Sequence, residues 1–206
     1  MKKMNIIIDV GANEGSFLRQ YLYDEKNMIF AFEPVPHLYE KLKSLELNHK
    51  NIKVFNYAIN NNDGIEDFYI NEPHYTSSLK PFTKYKDDWD KKVSLRQVNV
   101  INVKVYKLST FLIENDLLGK VISFLKIDTQ GSDLDVVKSL GNNIQNIKEI
   151  QLECFLTKNE ENLYENEGKC DKILNFFESN NFTLKHHLKE DEKWANLIFE
   201  NKQFLI

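Results

Sequence analysis

Three short stretches hold the residues whose types and spacing could do chemistry. The first is Asp9-Val10-Gly11-Ala12-Asn13-Glu14-Gly15, directly after an apolar run. Gly11 permits a tight exit from a strand. Gly15 permits either close helix packing or approach of a ligand to the backbone. Asn13 tolerates a left-handed backbone better than most residues. The second stretch is Ala31-Phe32-Glu33-Pro34. A carboxylate at the end of a second strand can accept hydrogen bonds from both ribose hydroxyls of a nucleoside cofactor. The third is Lys126-Ile127-Asp128-Thr129-Gln130-Gly131, where a buried strand delivers Asp128 to the same rim. Ser132, Asp133 and Asp135 suit a helix start, by capping and by dipole. Asp128 and Gln130 precede that start and have less structural reason to be there.

These stretches need elements to position them. An apolar strand at Asn5–Val10 is followed by Phe17, Leu18, Tyr21 and Leu22 at helical spacing, which predicts a helix over 14–23. A second strand covers 28–32. Leu38, Leu42 and Leu45 then mark an amphipathic helix after Pro34 and Pro36. Further strands are expected at Ile52–Phe55, 65–70, 97–107, 121–127 and Ile147–Phe155. Val98 and Val100 alternate out of frame with Ile101, Val103 and Val105, which suggests a bulge between Val100 and Ile101. Helices are expected at 109–115, with Ser109 as N-cap, and at 132–140 and Cys170–Ser179. A final strand pair covers 182–187 and 195–199; a strand near 195–206 would either pair with a second copy or be buried in its own core. The stretch 71–93 has little periodicity and exceeds the usual loop length, so it reads as a lid or binding loop. Alternating strands and helices predict one α/β domain over 1–206, with a mostly parallel sheet, helices on both faces and an antiparallel C-terminal edge pair. Such sheets bind ligands at the carboxyl ends of their strands.

In order and spacing, Ile7–Gly15, Ala31-Phe32-Glu33-Pro34, Ala58, Thr76-Ser77-Ser78-Leu79 and Leu125–Gly131 resemble the FkbM family of S-adenosylmethionine-dependent methyltransferases, over roughly Asn5 to Glu153. The resemblance implies a Rossmann-like, seven-stranded fold and methyl transfer to a hydroxyl, often on a sugar or natural product. It implies cofactor contacts from Asp9, Gly11, Ala12, Asn13, Gly15, Glu33 and Ala58. Glu33 would hold the ribose, Gly11–Gly15 the amino-acid end and Ala58 the adenine, with Tyr57 and Ile59 beside it. A hydroxyl is a poor nucleophile and benefits from a base. Asp128 is the first candidate, Glu153 the second and His74 the third. Ser77, Ser78 and Gln130 are expected to shape the acceptor site. Many family members carry Glu where this chain has Gln130, so no carboxylate role transfers to that position. Asp128 with Asp133 could approach a Mg²⁺ ion, but no dedicated cluster is evident and the metal is left open.

The other classes fit less well. The dinucleotide fingerprint and the P-loop are both absent. An NAD-dependent sugar oxidoreductase fits less well without that fingerprint. A non-catalytic binding module would be expected to lose Glu33 or the glycines, and it has kept them. The formal net charge is −4, and only Arg19 and Arg96 are arginine among 27 basic residues. That argues against a nucleic-acid partner, as does the lack of a basic cluster. No stretch approaches the ~18 uncharged apolar residues of a spanning helix, and the apolar run after the N-terminus is too short for a signal peptide. The expected setting is the cytoplasm, with a small-molecule or glycan acceptor, no membrane and an open oligomeric state. Cys154 and Cys170 cannot make a four-ligand zinc site, and Cys154 is expected to pack in the core.

Overall fold

The computed structural model describes residues 4–84, 93–156, 162–165, 168–189 and 194–205. Its main sheet has seven strands in the order β3-β2-β1-β7-β8-β10-β9. These are β1 (Asn5–Val10), β2 (Asn27–Phe32), β3 (Ile52–Phe55), β7 (Ile122–Ile127), β8 (Ile147–Phe155), β9 (Phe182–Lys189) and β10 (Trp194–Asn201). β1 pairs in parallel with both β2 and β7, and β7 with β8. β10 runs antiparallel to β8 and to β9. The last strand is therefore interior, and β9 forms the edge. Residue 206 lies outside the described residues. A second sheet, in the order β4-β6-β5, contains β4 (Ala58–Ile59), β5 (Gly64–Glu72) and β6 (Arg96–Tyr106).

Period-two alternation divides the central strand between two cores. Ile6, Ile8 and Val10 join the larger cluster, with Phe30, Phe32 and Ile150. Helices α2 (Leu108–Glu114), α3 (Asp133–Lys138) and α4 (Cys170–Ser179) contribute to it through Phe111, Val137 and Phe177. Phe111 makes edge contacts with Phe30, Phe32 and Phe55; such pairs are worth about 0.5–1.5 kcal/mol each beyond area burial. Ile7 faces the opposite side, with Leu18, Ile29 and Leu42 of α1 (Pro36–Lys43). Among the described residues no helix is long and apolar enough to cross a membrane.

Several local expectations are corrected. The 14–23 segment is a run of turns with one short 3-10 helix, Leu18–Gln20. Its apolar spacing still buries Leu18 and Leu22. Asn13 and Gly15 have φ of 48° and 79°, and these left-handed residues break regular helix where the loop closes on Glu33. The β5–β6 register shifts at Ile70/Asn71, opposite Val98, and is continuous through Val100 and Ile101. Val98 and Val100 simply occupy the exposed face of the small sheet. Ser109 does not cap α2: Lys107 is the N-cap, and the Leu108 amide donates to Ser139 Oγ. Cys154 is buried, but it also forms a disulfide with Cys170, joining the end of β8 to the start of α4. Of the 71–93 loop, residues 85–92 lie outside the described residues.

Candidate active site

The chain turns at the carboxyl ends of β1 and β2, and the turn is held by backbone. Gly11 and Ala12 amides both donate to the Phe32 carbonyl. Gly11 has φ +75°, and a Cβ there would lie 1.9 Å from the Asp128 carbonyl oxygen. Glycine is thus required where β1 passes β7. This geometry aims the Asn13 amide at Glu33 Oε2, 2.7 Å away, while the Val35 amide donates to Oε1 at 2.8 Å. Burial pushes the Glu33 carboxyl up from 4.5 to about 7, against the pull of these two amides. Asn13 Oδ1 is buried without a hydrogen-bond partner.

Below the turn lies a buried charge cluster. Asp9 and Lys126 are register neighbours on β1 and β7. Lys126 Nζ is 3.3 Å from Asp9 Oδ1 and 3.2 Å from Asp128 Oδ2, and donates to the Gly11 carbonyl. Burial alone would lower the Lys126 ammonium, but attraction to the two carboxylates outweighs it and holds it above its ordinary range. Asp133 is also buried, and burial raises its carboxyl. Its Oδ1 accepts from the Thr129 amide and its Oδ2 from the Glu153 amide. Asp133 therefore anchors the strand ends, and both of its oxygens are engaged away from Asp128. Among the described residues there is no group of three or more His, Cys, Asp or Glu arranged to hold a metal.

A cleft of about 210 Å³ opens over these strand ends. Its lining includes Gly11, Asn13, Glu33, Leu38, Tyr57 and Ala58 together with His74, Ser77, Asp128, Gln130, Glu153 and Trp194. Nine of the thirteen residues singled out from sequence thus meet in one cavity. The other four sit behind its wall. Asp9 is fully buried beneath Lys126. Ala12 packs in the Leu18–Leu42 core. Gly15 resolves to the packing role, because a Cβ there would meet Leu42 Cδ2 at 2.7 Å. Ser78 is corrected as an acceptor contact: it is fully buried, and its hydroxyl donates to the Gln130 carbonyl at 2.7 Å and accepts from the Lys80 amide.

Sequence reasoning did not single out Lys126, Tyr164 or Trp194. A signal existed for Lys126, since a lysine inside an apolar strand beside Asp9 needs a buried acid. No local signal marks Trp194 or Tyr164, which reach the site through chain pairing far from the motifs.

The sequence matches the methyltransferase FkbM domain over residues 9–184. No curated protein sequence matches significantly. Among solved structures, methyltransferase FkbM from Methylobacillus flagellatus KT superposes with a TM-score of 0.57 at 15% identity, over 96% of this chain and 44% of that one. The chain thus spans less than half the length of that protein. Fibrillarin from Aeropyrum pernix, with natively bound S-adenosyl-L-methionine, superposes with a TM-score of 0.51 at 9% identity, over 96% of this chain and 66% of that one. At these identities the likeness is one of fold.

Proposed function

The chain belongs to the FkbM family of S-adenosylmethionine-dependent methyltransferases, and from that premise we propose that it methylates a hydroxyl of a sugar, a glycan or another small natural product. One observation carries the reading: a buried strand-end carboxylate, Glu33, shares a cleft with a pair of carboxylates, Asp128 and Glu153. The residues present fit the cofactor. Glu33 keeps lone pairs for ribose hydroxyls beyond those used by Asn13 and Val35. The unpartnered Asn13 Oδ1 suits the ammonium of the amino-acid end. Tyr57, Ala58 and Leu38 give an adenine a largely apolar wall. Asp9, Gly11, Ala12 and Gly15 serve the cofactor by holding the turn.

When bound, the cofactor supplies a methyl group on a cationic sulfur. The chain's task is to hold the acceptor oxygen in line with it, and positioning of this kind is worth up to about 7–11 kcal/mol. Asp128 is the leading acceptor of the hydroxyl proton, with Glu153 and His74 as the further candidates. Ser77 and Gln130 line the acceptor end. Lys126 fixes the Asp128 carboxylate from below and ties it to the Gly11 carbonyl. The net charge of −4 and the scarcity of arginine support a partner other than nucleic acid. We retain a cytoplasmic setting as part of this reading; the Cys154–Cys170 disulfide is the observation that weighs against it.

Titration calorimetry with S-adenosylmethionine, S-adenosylhomocysteine and NAD tests the cofactor. Saturable binding of the two sulfur compounds without NAD is expected, followed by label transfer from the methyl donor to members of a panel of hydroxylated sugars. NAD binding alone would replace this reading with an oxidoreductase.

A further inference from the structure

Gln130 occupies an unusual backbone position. Its φ is 56°, in the left-handed region that non-glycine residues seldom adopt, and Gly131 follows at φ 105°. Three contacts hold it there. The Ser78 hydroxyl donates to its carbonyl. The buried Tyr164 ring lies against Gly131, where an added Cβ would meet Tyr164 Cβ at 3.0 Å. The Tyr164 hydroxyl lies 3.1 Å from Gln130 Oε1 and shares its one proton between that oxygen and the Thr76 carbonyl. Strain held this firmly points to a role for the side chain it aims.

That side chain enters the gap between two carboxylates. Gln130 Nε2 is 2.8 Å from Asp128 Oδ1 and 3.4 Å from Glu153 Oε2. Turning the amide over would aim an acceptor oxygen at two carboxylates, so the bridging orientation is the one the surroundings demand. Among the described residues, the charged or titratable groups around the pair include Asp9 on β1, Glu33 after β2, Lys126 on β7, Asp133 on α3, Tyr164, and the cleft residues Tyr57, His74 and Tyr75. Of these, Lys126 contacts Asp128 from the far side, at Oδ2.

We propose that Gln130 is a positioning residue: pinned by Tyr164, its amide bridges Asp128 and Glu153 and takes the place between them that a divalent cation would otherwise claim. The inference rests on the reading of these carboxylates as the acceptor end. It goes further by making acceptor activation in this chain a matter of paired carboxylates held by an amide. Glutamate at the same position would convert the bridge into a third carboxylate, and three oxygen-bearing acids in contact are what a hard divalent cation takes.

The test uses Mn²⁺ alone as probe, by calorimetry, on wild type, Gln130→Glu and the double variant Gln130→Glu/Asp128→Asn. Gln130→Glu is expected to bind Mn²⁺ at least about tenfold more tightly than wild type, and the double variant to lose that gain. Equal Mn²⁺ affinity in wild type and Gln130→Glu would overturn the proposal. Tyr164→Phe gives a second route should Gln130→Glu fail to fold. In wild type the Gln130 side-chain amide protons should appear by ¹⁵N NMR as two resolved, exchange-protected signals, and Tyr164→Phe should release them toward free-glutamine behaviour. Signals already free in wild type would also overturn it. S-adenosylhomocysteine binding is measured on the same samples. Its absence would sink the methyltransferase reading while leaving the bridge intact, whereas its presence with no Mn²⁺ difference would sink the bridge alone.

Discussion

At the Glu33 end of the cleft, one buried carboxylate is held by two backbone amides from neighbouring turns. Across the sheet, at the Glu153 end, side chains arrive from separate segments: Asp128 and Gln130 after β7, Glu153 on β8 and Trp194 on β10. The first end depends on where the backbone can go, so it is sensitive to added Cβ atoms. The second depends on which side chains meet, so it is sensitive to their chemistry.

Gly11→Ala should break both ends at once, since its Cβ would collide with the Asp128 carbonyl. A loss of more than about 4 kcal/mol is expected, read as loss of cooperative unfolding in urea. Asp128→Asn separates the ends: turnover should fall about 10²–10⁴-fold with S-adenosylmethionine affinity unchanged by calorimetry. Full activity would remove Asp128 as the base. Glu33→Ala is the mirror case. It should weaken cofactor affinity by about 1.5–3 kcal/mol and spare turnover at saturating cofactor. If affinity and turnover fall together in either variant, the two ends do not work independently. The smallest effect belongs behind the wall. Ser78→Ala, which strips a donor from the Gln130 carbonyl, should cost about 1 kcal/mol, seen as a melting point lower by about 2–4 °C.

The pH dependence sharpens the contrast. The Glu33 carboxyl is raised from 4.5 to about 7. Its contribution to stability is therefore full below about pH 4.5 and is lost as the pH rises through about 7. Cofactor affinity should run the opposite way, because ribose hydroxyls donate to the ionised form. Glu33→Gln should flatten both curves. A wild-type affinity that stays constant between about pH 5 and pH 8 would count against the ribose role.

Legibility in the sequence follows the same division. The strand ends at Val10, Phe32 and Ile127 were readable because apolar runs, glycines and acids stand next to one another in the chain. The 14–23 helix was misread because Leu18 and Leu22 bury just as well in successive turns once Asn13 and Gly15 adopt positive φ. The Val98 and Val100 pattern misled because two valines stand on an exposed face. Ser78 carried a motif position but not its exposure. Tyr164 and Trp194 could not be placed, since nothing local says which distant strand they will meet. The Cys154–Cys170 bond was hidden for the same reason.

The position of β10 has a consequence for the order in which the molecule can assemble. Among the described residues it is the last strand in sequence, yet it lies inside the sheet, and β9 joins the sheet by pairing with it. The earlier strand must therefore wait for the later one, either by closing a hairpin first or by docking second. The seam that seats β10 pairs Asn196 with Glu153, whereas β1 and β2 pair Asn5 with Asn27. Longer loop closure makes the first pairing the slower. The rim carrying Glu153 and Trp194 is therefore expected to form after the rim carrying Glu33.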